Sequence, residues 1–217
     1  NIQNNRPVAI TMALANPGCY RNILQKHRSL WLYLLTIHDK DGWLVFHILS
    51  QAEPPVLDEV LLEMDEDNAI LVLSALNQEN GIPVACYFAE KNPSHFSRVM
   101  MRKNRARSAM FSVANSNGLS PYHVMIETSV HLLDMLRELD LRDAVAMLKA
   151  CNLKDNTVLA ISMATRRPDV FKRLVLELAP LRPCLLEVQD DKGWLAYHHL
   201  ASGSELEEIL LHIEEED

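Results

Sequence analysis

The sequence predicts an all-α solenoid of about six stacked helix-turn-helix repeats with a concave face. A residue that favours a left-handed turn recurs every 37 to 39 positions along the 217-residue chain. Apolar residues recur at fixed distances after it, as in repeats that must stack to bury a continuous core. The chain has only 6 glycines but many Ala, Leu and Met residues, and this composition favours helices.

The turn of each repeat is marked by glycine or asparagine, at Asn5, Gly42, Gly81, Gly118, Asn156 and Gly193. Asparagine is the residue other than glycine that most readily adopts a positive φ. We therefore expect a left-handed residue at each turn. The repeats then start near residues 2, 39, 78, 115, 153 and 190, and one domain covers residues 1–217. Because the chain starts with asparagine rather than methionine, we expect it to be a fragment of a longer protein.

Two helices are predicted in each repeat. The positions seven and eighteen residues after the turn are apolar throughout, as at Leu49 and Val60 in the second repeat. Proline stands twelve residues after the turn in four repeats, at Pro17, Pro54, Pro93 and Pro168. Proline suits the first turn of a helix, where its missing N–H is not needed. The second repeat should therefore have helices near residues 45–51 and 55–64.

The turn and the residues after it resemble the ankyrin repeat, whose core reads G-x-T-P-L-H-x-A. The closest copy is GLSPYHVM at residues 118–125, which retains Ser-Pro and the histidine. The resemblance covers essentially the whole chain as six divergent repeats. The chain departs from the family in repeat length, since ankyrin repeats have typically about 33 residues. It has also lost most Thr-Pro pairs and carries a large residue where the family has alanine.

Extra apolar segments follow the second helix, at residues 30–37, 69–76, 109–114, 144–150 and 184–188. Each is long enough for another short helix. A third helix would bring the repeats closer to armadillo or HEAT repeats, which have roughly 40 to 47 residues. Another α-solenoid therefore stays open beside the ankyrin-like fold.

Charge and cysteine spacing exclude several functional classes. A net charge of −8 argues against nucleic acid as the partner. The four cysteines are scattered without a CxxC pair, which indicates free thiols in a reducing, cytoplasmic compartment rather than zinc or disulfides. The longest apolar run, at residues 30–37, is too short to span a membrane. The sequence has no phosphate loop, nucleophile elbow or HExxH motif, so we expect no catalytic site, metal or cofactor.

Histidine occupies the position five residues after the turn at His47, His123 and His198, and Cys86 takes it in the third repeat. A cysteine and a histidine together suggest a thiol nucleophile. Equivalent positions in stacked repeats lie roughly 8–10 Å apart, whereas a nucleophile and its base need about 3 Å. The resemblance implies a structural role instead, in which the histidine holds the turn to the helix by hydrogen bonds.

The position directly after the turn is large and apolar in four repeats, at Trp43, Ile82, Leu119 and Trp194. In ankyrin-like repeats this position lies beside the concave face and is commonly used for binding. Tryptophan is also a favoured hot-spot residue of interfaces. The alternative is that the extra segments cover these side chains and make them part of the core.

Polar residues near these positions should form the rim of the same surface. On the turns they are Lys40, Asp41, Glu79, Asn80, Asn117, Asp191 and Lys192, and after the first helix they are Gln51, Glu90, Lys91, Glu127 and Arg166.

Two charged segments have separate interpretations. Residues 98–107 carry five basic side chains and no acidic one, so they either bind an acidic partner, a lipid or RNA, or form a solvated helix end. Residues 205–217 form an acidic amphipathic pattern that suits a terminal cap.

The function expected from these features is a non-catalytic, monomeric module that binds a partner protein or peptide through its concave face and turns. The alternative is a substrate-recognition domain of a larger enzyme, such as a bacterial effector acting in host cells.

Overall fold

The structure is a computed structural model that describes residues 6–53, 55–128, 130–200 and 205–216. Asn5, Pro54 and the start of the first repeat near residue 2 lie outside these ranges. The chain divides into two compact halves, residues 1–117 and 118–217, which hold repeats 1–3 and 4–6. Each half is described by itself, and the single domain expected from the sequence stays a prediction.

The N-terminal half is helical, and its helices are α1 (Val8–Ala15), α2 (Pro17–Lys26), α3 (Leu30–Leu34), α4 (Val45–Ser50), α5 (Leu57–Glu63), α6 (Glu66–Ser74), α7 (Val84–Lys91), α8 (Pro93–Arg102) and α9 (Asn104–Ala109), followed by a 3-10 turn at Met110–Ser112.

The C-terminal half contains α10 (Pro121–Val124), α11 (Val130–Glu138), α12 (Leu141–Leu148), α13 (Leu159–Arg166), α14 (Pro168–Glu177), α15 (Arg182–Glu187), α16 (Ala196–Leu200) and α17 (Glu205–Glu216), with 3-10 turns at Met125–Thr128 and Ala179–Leu181. No helix in the described ranges is both long and apolar enough to cross a membrane.

Repeats 1 to 5 have three helices each, and four of the five extra apolar segments fold as α3, α6, α12 and α15. The segment predicted at residues 109–114 is not a helix of this kind, since α9 ends at Ala109 and Met110–Ser112 form a 3-10 turn. The helix at the second of these segments begins earlier than its apolar run. Asp65 caps α6 by accepting a 2.8 Å hydrogen bond from the N–H of Asn68, so the helix starts at Glu66. Asp140 caps α12 in the same way through the N–H of Asp143. The apolar run marks the buried part of the helix, and the capping residue sets where it starts.

Helices that occupy the same position in neighbouring repeats pack against one another. The first helices form one layer in each half, where α4 packs on α1 and α7, and α13 packs on α10 and α16. The second helices form another, where α5 packs on α2 and α8, and α14 packs on α11 and α17. None of these helices is long enough to be stable alone in water. Stacking of repeats therefore supplies the core in each half.

The first helices of the first two repeats differ in exposure. Val8 and Met12 on α1 are 68% and 40% exposed. The corresponding residues of the second repeat, Val45 and Leu49, are fully buried on α4, which packs on both α1 and α7.

Tight hairpins connect the repeats. The turn residues Gly42, Gly81, Gly118, Asn156 and Gly193 have φ between 58° and 79°. Four hairpins are closed by a single antiparallel bridge, such as that between His38 and Leu44. Inside each hairpin an Asp or Asn accepts backbone N–H groups; Asp39 Oδ1, for example, is 3.0 Å from the nitrogens of Asp41 and Trp43. Side-chain and backbone bonds together fix the loop.

Successive hairpins also bond to each other. The carbonyl of Gly42 accepts a 3.0 Å hydrogen bond from the N–H of Gln78 in the next hairpin, and Leu153 N–H donates to Gly118 O at 2.8 Å. A Cβ placed on Gly42 would lie 2.5 Å from Glu79 N. Gly42 is therefore required for both its φ and the close approach of the next hairpin.

Gly81 offers a matched comparison, because a Cβ there would meet nothing within 4 Å although φ is 68°. We expect Gly81→Ala to lower the free energy of unfolding by about 1 kcal/mol, from backbone strain alone. Gly42→Ala should cost about 3 kcal/mol or more, because it also forces two hairpins apart. Urea denaturation of both variants measures the difference, and equal losses would contradict the role of hairpin contact.

Candidate functional site

The side chains that follow the turn residues differ in exposure. Trp43, Ile82 and Leu119 are half-buried. Trp194 is exposed over 53% of its surface. The two tryptophans, which the sequence pattern could not separate, are therefore in different environments.

Trp43 belongs to an aromatic cluster that joins two repeats. Its ring centroid lies 5.3 Å from that of His47 and 4.7 Å from that of Tyr87, which is on α7 of the next repeat. Tyr87 also donates a 2.8 Å hydrogen bond to Gln51 Oε1, and the Lys91 ammonium lies 5.4 Å from the tyrosine ring centroid. Trp43 thus contributes to internal packing while one part of it stays accessible.

Tyr87 is a member of this cluster that the sequence did not reveal. It lies six residues after the turn, where the second and fourth repeats have Ile48 and Val124. Because the residue type at this position differs between repeats, the sequence offers no reason to expect a functional role for Tyr87. The exposed neighbours Gln51 and Lys91 were predicted as rim residues, and the structure brings both to Tyr87.

Trp194 has few internal contacts. Its ring centroid lies 5.4 Å from that of His198 and 6.4 Å from that of His199, both on α16. Its backbone is held by Asp190, whose Oδ1 accepts the N–H groups of Lys192 and Trp194 at 2.9 and 2.8 Å. An exposed aromatic side chain therefore stands on a fixed backbone.

The predicted rim residues are all exposed, namely Lys40, Asp41, Gln51, Glu79, Asn80, Glu90, Lys91, Asn117, Glu127, Arg166, Asp191 and Lys192. Two pairs form among them, Lys91 with Glu90 at 2.6 Å and Arg166 with Glu127 at 2.5 Å. Surface pairs of this kind contribute little to stability. Their role in binding stays a prediction.

His47 and His123 each reach the turn of the following repeat, in addition to the bond that His123 Nδ1 makes with Ser120 Oγ at 2.8 Å in its own repeat. The imidazole of His47 extends from α4 towards the next repeat, and its Nε2 donates to the carbonyl of Ile82 at 3.0 Å. His123 Nε2 donates to the carbonyl of Thr157 at 3.3 Å. His198, in the last repeat, is exposed and accepts at Nδ1 from the N–H of Leu195 in its own repeat.

Burial of these rings suits a structural role. Desolvation lowers the pKa of His47 and of His123 to about 4, so both rings are neutral at pH 7 and carry their proton on the donating Nε2. Burial also raises the pKa of the Cys86 thiol to about 12, which removes the thiolate that nucleophilic catalysis needs. Within the described residues, no group of three His, Cys, Asp or Glu side chains is placed to hold a metal ion.

The basic segment at residues 98–107 is largely used inside the N-terminal half. Arg102 is exposed. The other four basic side chains have internal acceptors: Asp58 for Arg98, Met64 O for Lys103, Asp67 for Arg105 and Met100 O for Arg107. This pairing favours the interpretation as a helix end over that of a binding site for acidic ligands.

A pocket of about 340 Å³ lies in the C-terminal half between the hairpins and first helices. Its walls include Leu119, Arg166 and Asp191, three of the residues predicted to contact a partner. They come from repeats 4, 5 and 6, so the fold brings together side chains that are far apart in the sequence.

The different environments of the tryptophans predict unequal effects on stability. Trp43→Ala should lower the free energy of unfolding by about 2 kcal/mol, because it removes a half-buried ring from an aromatic cluster. Trp194→Ala should change it by about 0.5 kcal/mol or less. Chemical denaturation of the two variants tests this; a larger loss for Trp194→Ala would mean that Trp194 belongs to the core.

The histidine bonds predict a pH dependence of stability. In the unfolded chain a histidine has a pKa of about 6.5, whereas His47 and His123 in the fold have a pKa of about 4. The unfolded state therefore binds more protons between these values, so stability is complete above pH 6.5 and falls as pH drops towards 4. The loss should be on the order of 1–3 kcal/mol per histidine.

Urea denaturation at pH 7.5, 6.5, 5.5 and 4.5 measures this slope. The double variant His47→Gln/His123→Gln should be less stable at pH 7.5 and should show a flatter dependence. An unchanged slope in the double variant would show that other groups are responsible.

Comparison with known proteins agrees with this geometry. The chain is similar to the crystal structure of EF0377, an ankyrin repeat protein, with a TM-score of 0.61 and 13% identity over 94% of this chain and 96% of that one. No family model matches the sequence. No curated protein matches it either. The ankyrin-like prediction is confirmed at the level of structure, and the armadillo or HEAT alternative is not supported, since the left-handed hairpins accompany the third helices. The chain has the ankyrin repeat fold, in an all-α solenoid whose repeats carry an additional helix.

Proposed function

We propose that this chain is a non-catalytic interaction module that binds a partner protein or peptide with its hairpin turns and first helices. The observation that carries this proposal is the placement of Trp194, which is 53% exposed on a hairpin. A large aromatic side chain in water is unfavourable unless it meets a partner, and tryptophan is among the residues that dominate interface energies.

The hydrogen bonding of the three tryptophans supports the same proposal. Trp31 is 4% exposed, and its Nε1 donates a 3.0 Å bond to the carbonyl of Leu24. Among the described residues, the indole N–H groups of Trp43 and Trp194 have no acceptor. A buried structural tryptophan has its donor satisfied, whereas these two keep a donor available to a ligand.

The fixed backbone around Trp194 lowers the cost of binding. Asp190 holds the nitrogens of Lys192 and Trp194, and the bridge between Gln189 and Leu195 closes the hairpin. Little backbone entropy is then lost when a partner docks on the indole ring. Exposed charged residues of both signs surround the hairpin, as in the polar rim of an interface.

The proposal includes a monomeric state and a reducing, cytoplasmic location. Among the described residues, Cys19, Cys86, Cys151 and Cys184 form no disulfide, which supports that location. The alternative of a substrate-recognition domain in a larger enzyme has no specific support in the described residues.

Affinity capture from cell lysate with the purified chain tests the function. A partner retained by the wild type should be lost, with at least a tenfold weaker yield, by Trp194→Ala and by Trp43→Ala/Trp194→Ala. Trp194→Ala alone separates binding from folding, because its melting temperature should stay within about 2 °C of the wild type.

The matched control is Leu71→Ala/Leu186→Ala, which removes two side chains that are 52% and 57% exposed on third helices. This variant should keep the partner. Loss of capture in the control, or retention in both tryptophan variants, would contradict a binding surface on the hairpins.

A further inference from the structure

The pocket in the C-terminal half has the size of one long side chain rather than of a cofactor. Its volume of about 340 Å³ lies at the lower end of the range for ligand sites. Hairpins of repeats 5 and 6 contribute Asp155, Asp190 and Asp191 to its walls, and α13 contributes Ile161 and Ser162. The pocket thus combines a carboxylate rim with an apolar wall.

The charge of the pocket is negative. Backbone hydrogen bonds from Thr157 and Trp194 lower the pKa values of Asp155 and Asp190, so both carboxylates are ionised at neutral pH. Arg166 also lines the pocket, but Glu127 neutralises its charge at 2.5 Å. Both oxygens of Asp190 have internal partners, because Oδ1 accepts the N–H groups of Lys192 and Trp194 and Oδ2 lies 3.2 Å from His199 Nε2. Asp191 is exposed at the rim and is not engaged in this pair.

A hydroxyl group on the pocket wall points independently to a ligand. Ser162 lines the pocket, and only 8% of the residue is exposed. Within the described part of the chain, its Oγ has no hydrogen-bond partner. The neighbouring Thr165, by contrast, uses its hydroxyl to donate to the carbonyl of Ile161 at 2.9 Å. The Ser162 hydroxyl is thus open to the pocket, where a donor group of a ligand would hydrogen-bond to it.

We infer that this pocket binds a lysine or arginine side chain of the partner. The carboxylates bind the cationic head, Ser162 Oγ accepts one of its N–H groups, and Ile161 packs against the methylene stem, as long basic side chains require. This inference rests on the proposed function, which it deepens by assigning a basic segment to the partner.

Titrating two small probes into the ¹⁵N-labelled chain tests the pocket without knowledge of the partner. N-acetyl-arginine methylamide and N-acetyl-lysine methylamide should give saturable shifts of the backbone amides of Asp155, Ser162 and Asp191, with millimolar affinity. N-acetyl-citrulline methylamide has nearly the same shape as the arginine probe but no charge, and it should give no saturable shifts there.

Two variants make the test specific. Asp191→Asn and Ser162→Ala should each weaken binding of the basic probes about fivefold or more, because each removes one acceptor. Neither residue supports another group through a side-chain hydrogen bond among the described residues, so both variants should fold. Glu138→Gln removes one exposed negative charge outside the pocket and should leave binding unchanged.

Equal shifts from the citrulline probe, or no shifts at these amides, would overturn the inference. Shifts of the same amides by Mg²⁺ when neither basic probe causes them would overturn it in favour of a cation site. If the basic probes fail while Trp194→Ala still abolishes partner capture, the pocket assignment is wrong and the proposed function stands. If the probes bind as expected but the tryptophan variants retain the partner, the hairpin surface is wrong instead.

Discussion

The hydrogen bond between successive hairpins is the contact on which the rest of each half depends. It joins Gly42 O to Gln78 N in one half and Gly118 O to Leu153 N in the other. It requires a backbone without a side chain at the turn, and it sets the distance at which the next repeat begins. The first, second and third helices can then pack on their counterparts, although none of them could fold alone. Burial of the apolar columns follows from that spacing.

The proposed binding surface has the same rigid backbone. Each described hairpin is fixed by an internal Asp or Asn, and the hairpins of repeats 2 and 3 and of repeats 4 and 5 also bond to each other, so the backbone after the turn is held in place. The ring of Trp194 is exposed at that position, whereas the ring of Trp43 packs partly in the aromatic cluster and is partly in contact with solvent. The pocket is built from the same rigid elements, since its carboxylates are on hairpins and its hydroxyl is on a first helix. The proposed binding surface would therefore need little rearrangement when a partner docks.

The repeat period could be predicted from the sequence because a positive φ restricts residue type at every turn. The five described turn residues all have it, and four of the five extra apolar segments form third helices. The direction of the histidine bonds could not be predicted, because residue type does not show which neighbour an imidazole reaches. Tyr87 was missed since its column mixes residue types. Trp43 and Trp194 looked equivalent in sequence, but Trp43 packs against Tyr87 of the next repeat, whereas Trp194 contacts histidines of its own repeat.

The histidine bonds give the array a direction. His47 holds the carbonyl of Ile82, and His123 holds that of Thr157, so support passes from repeat 2 to repeat 3 and from repeat 4 to repeat 5. The position after a turn is thus carried by one repeat and oriented by another. If a whole repeat were moved from one array to another, its hairpin would therefore lose the histidine of the preceding repeat that orients it. In such an array a hairpin and the first helix of the preceding repeat form one structural unit.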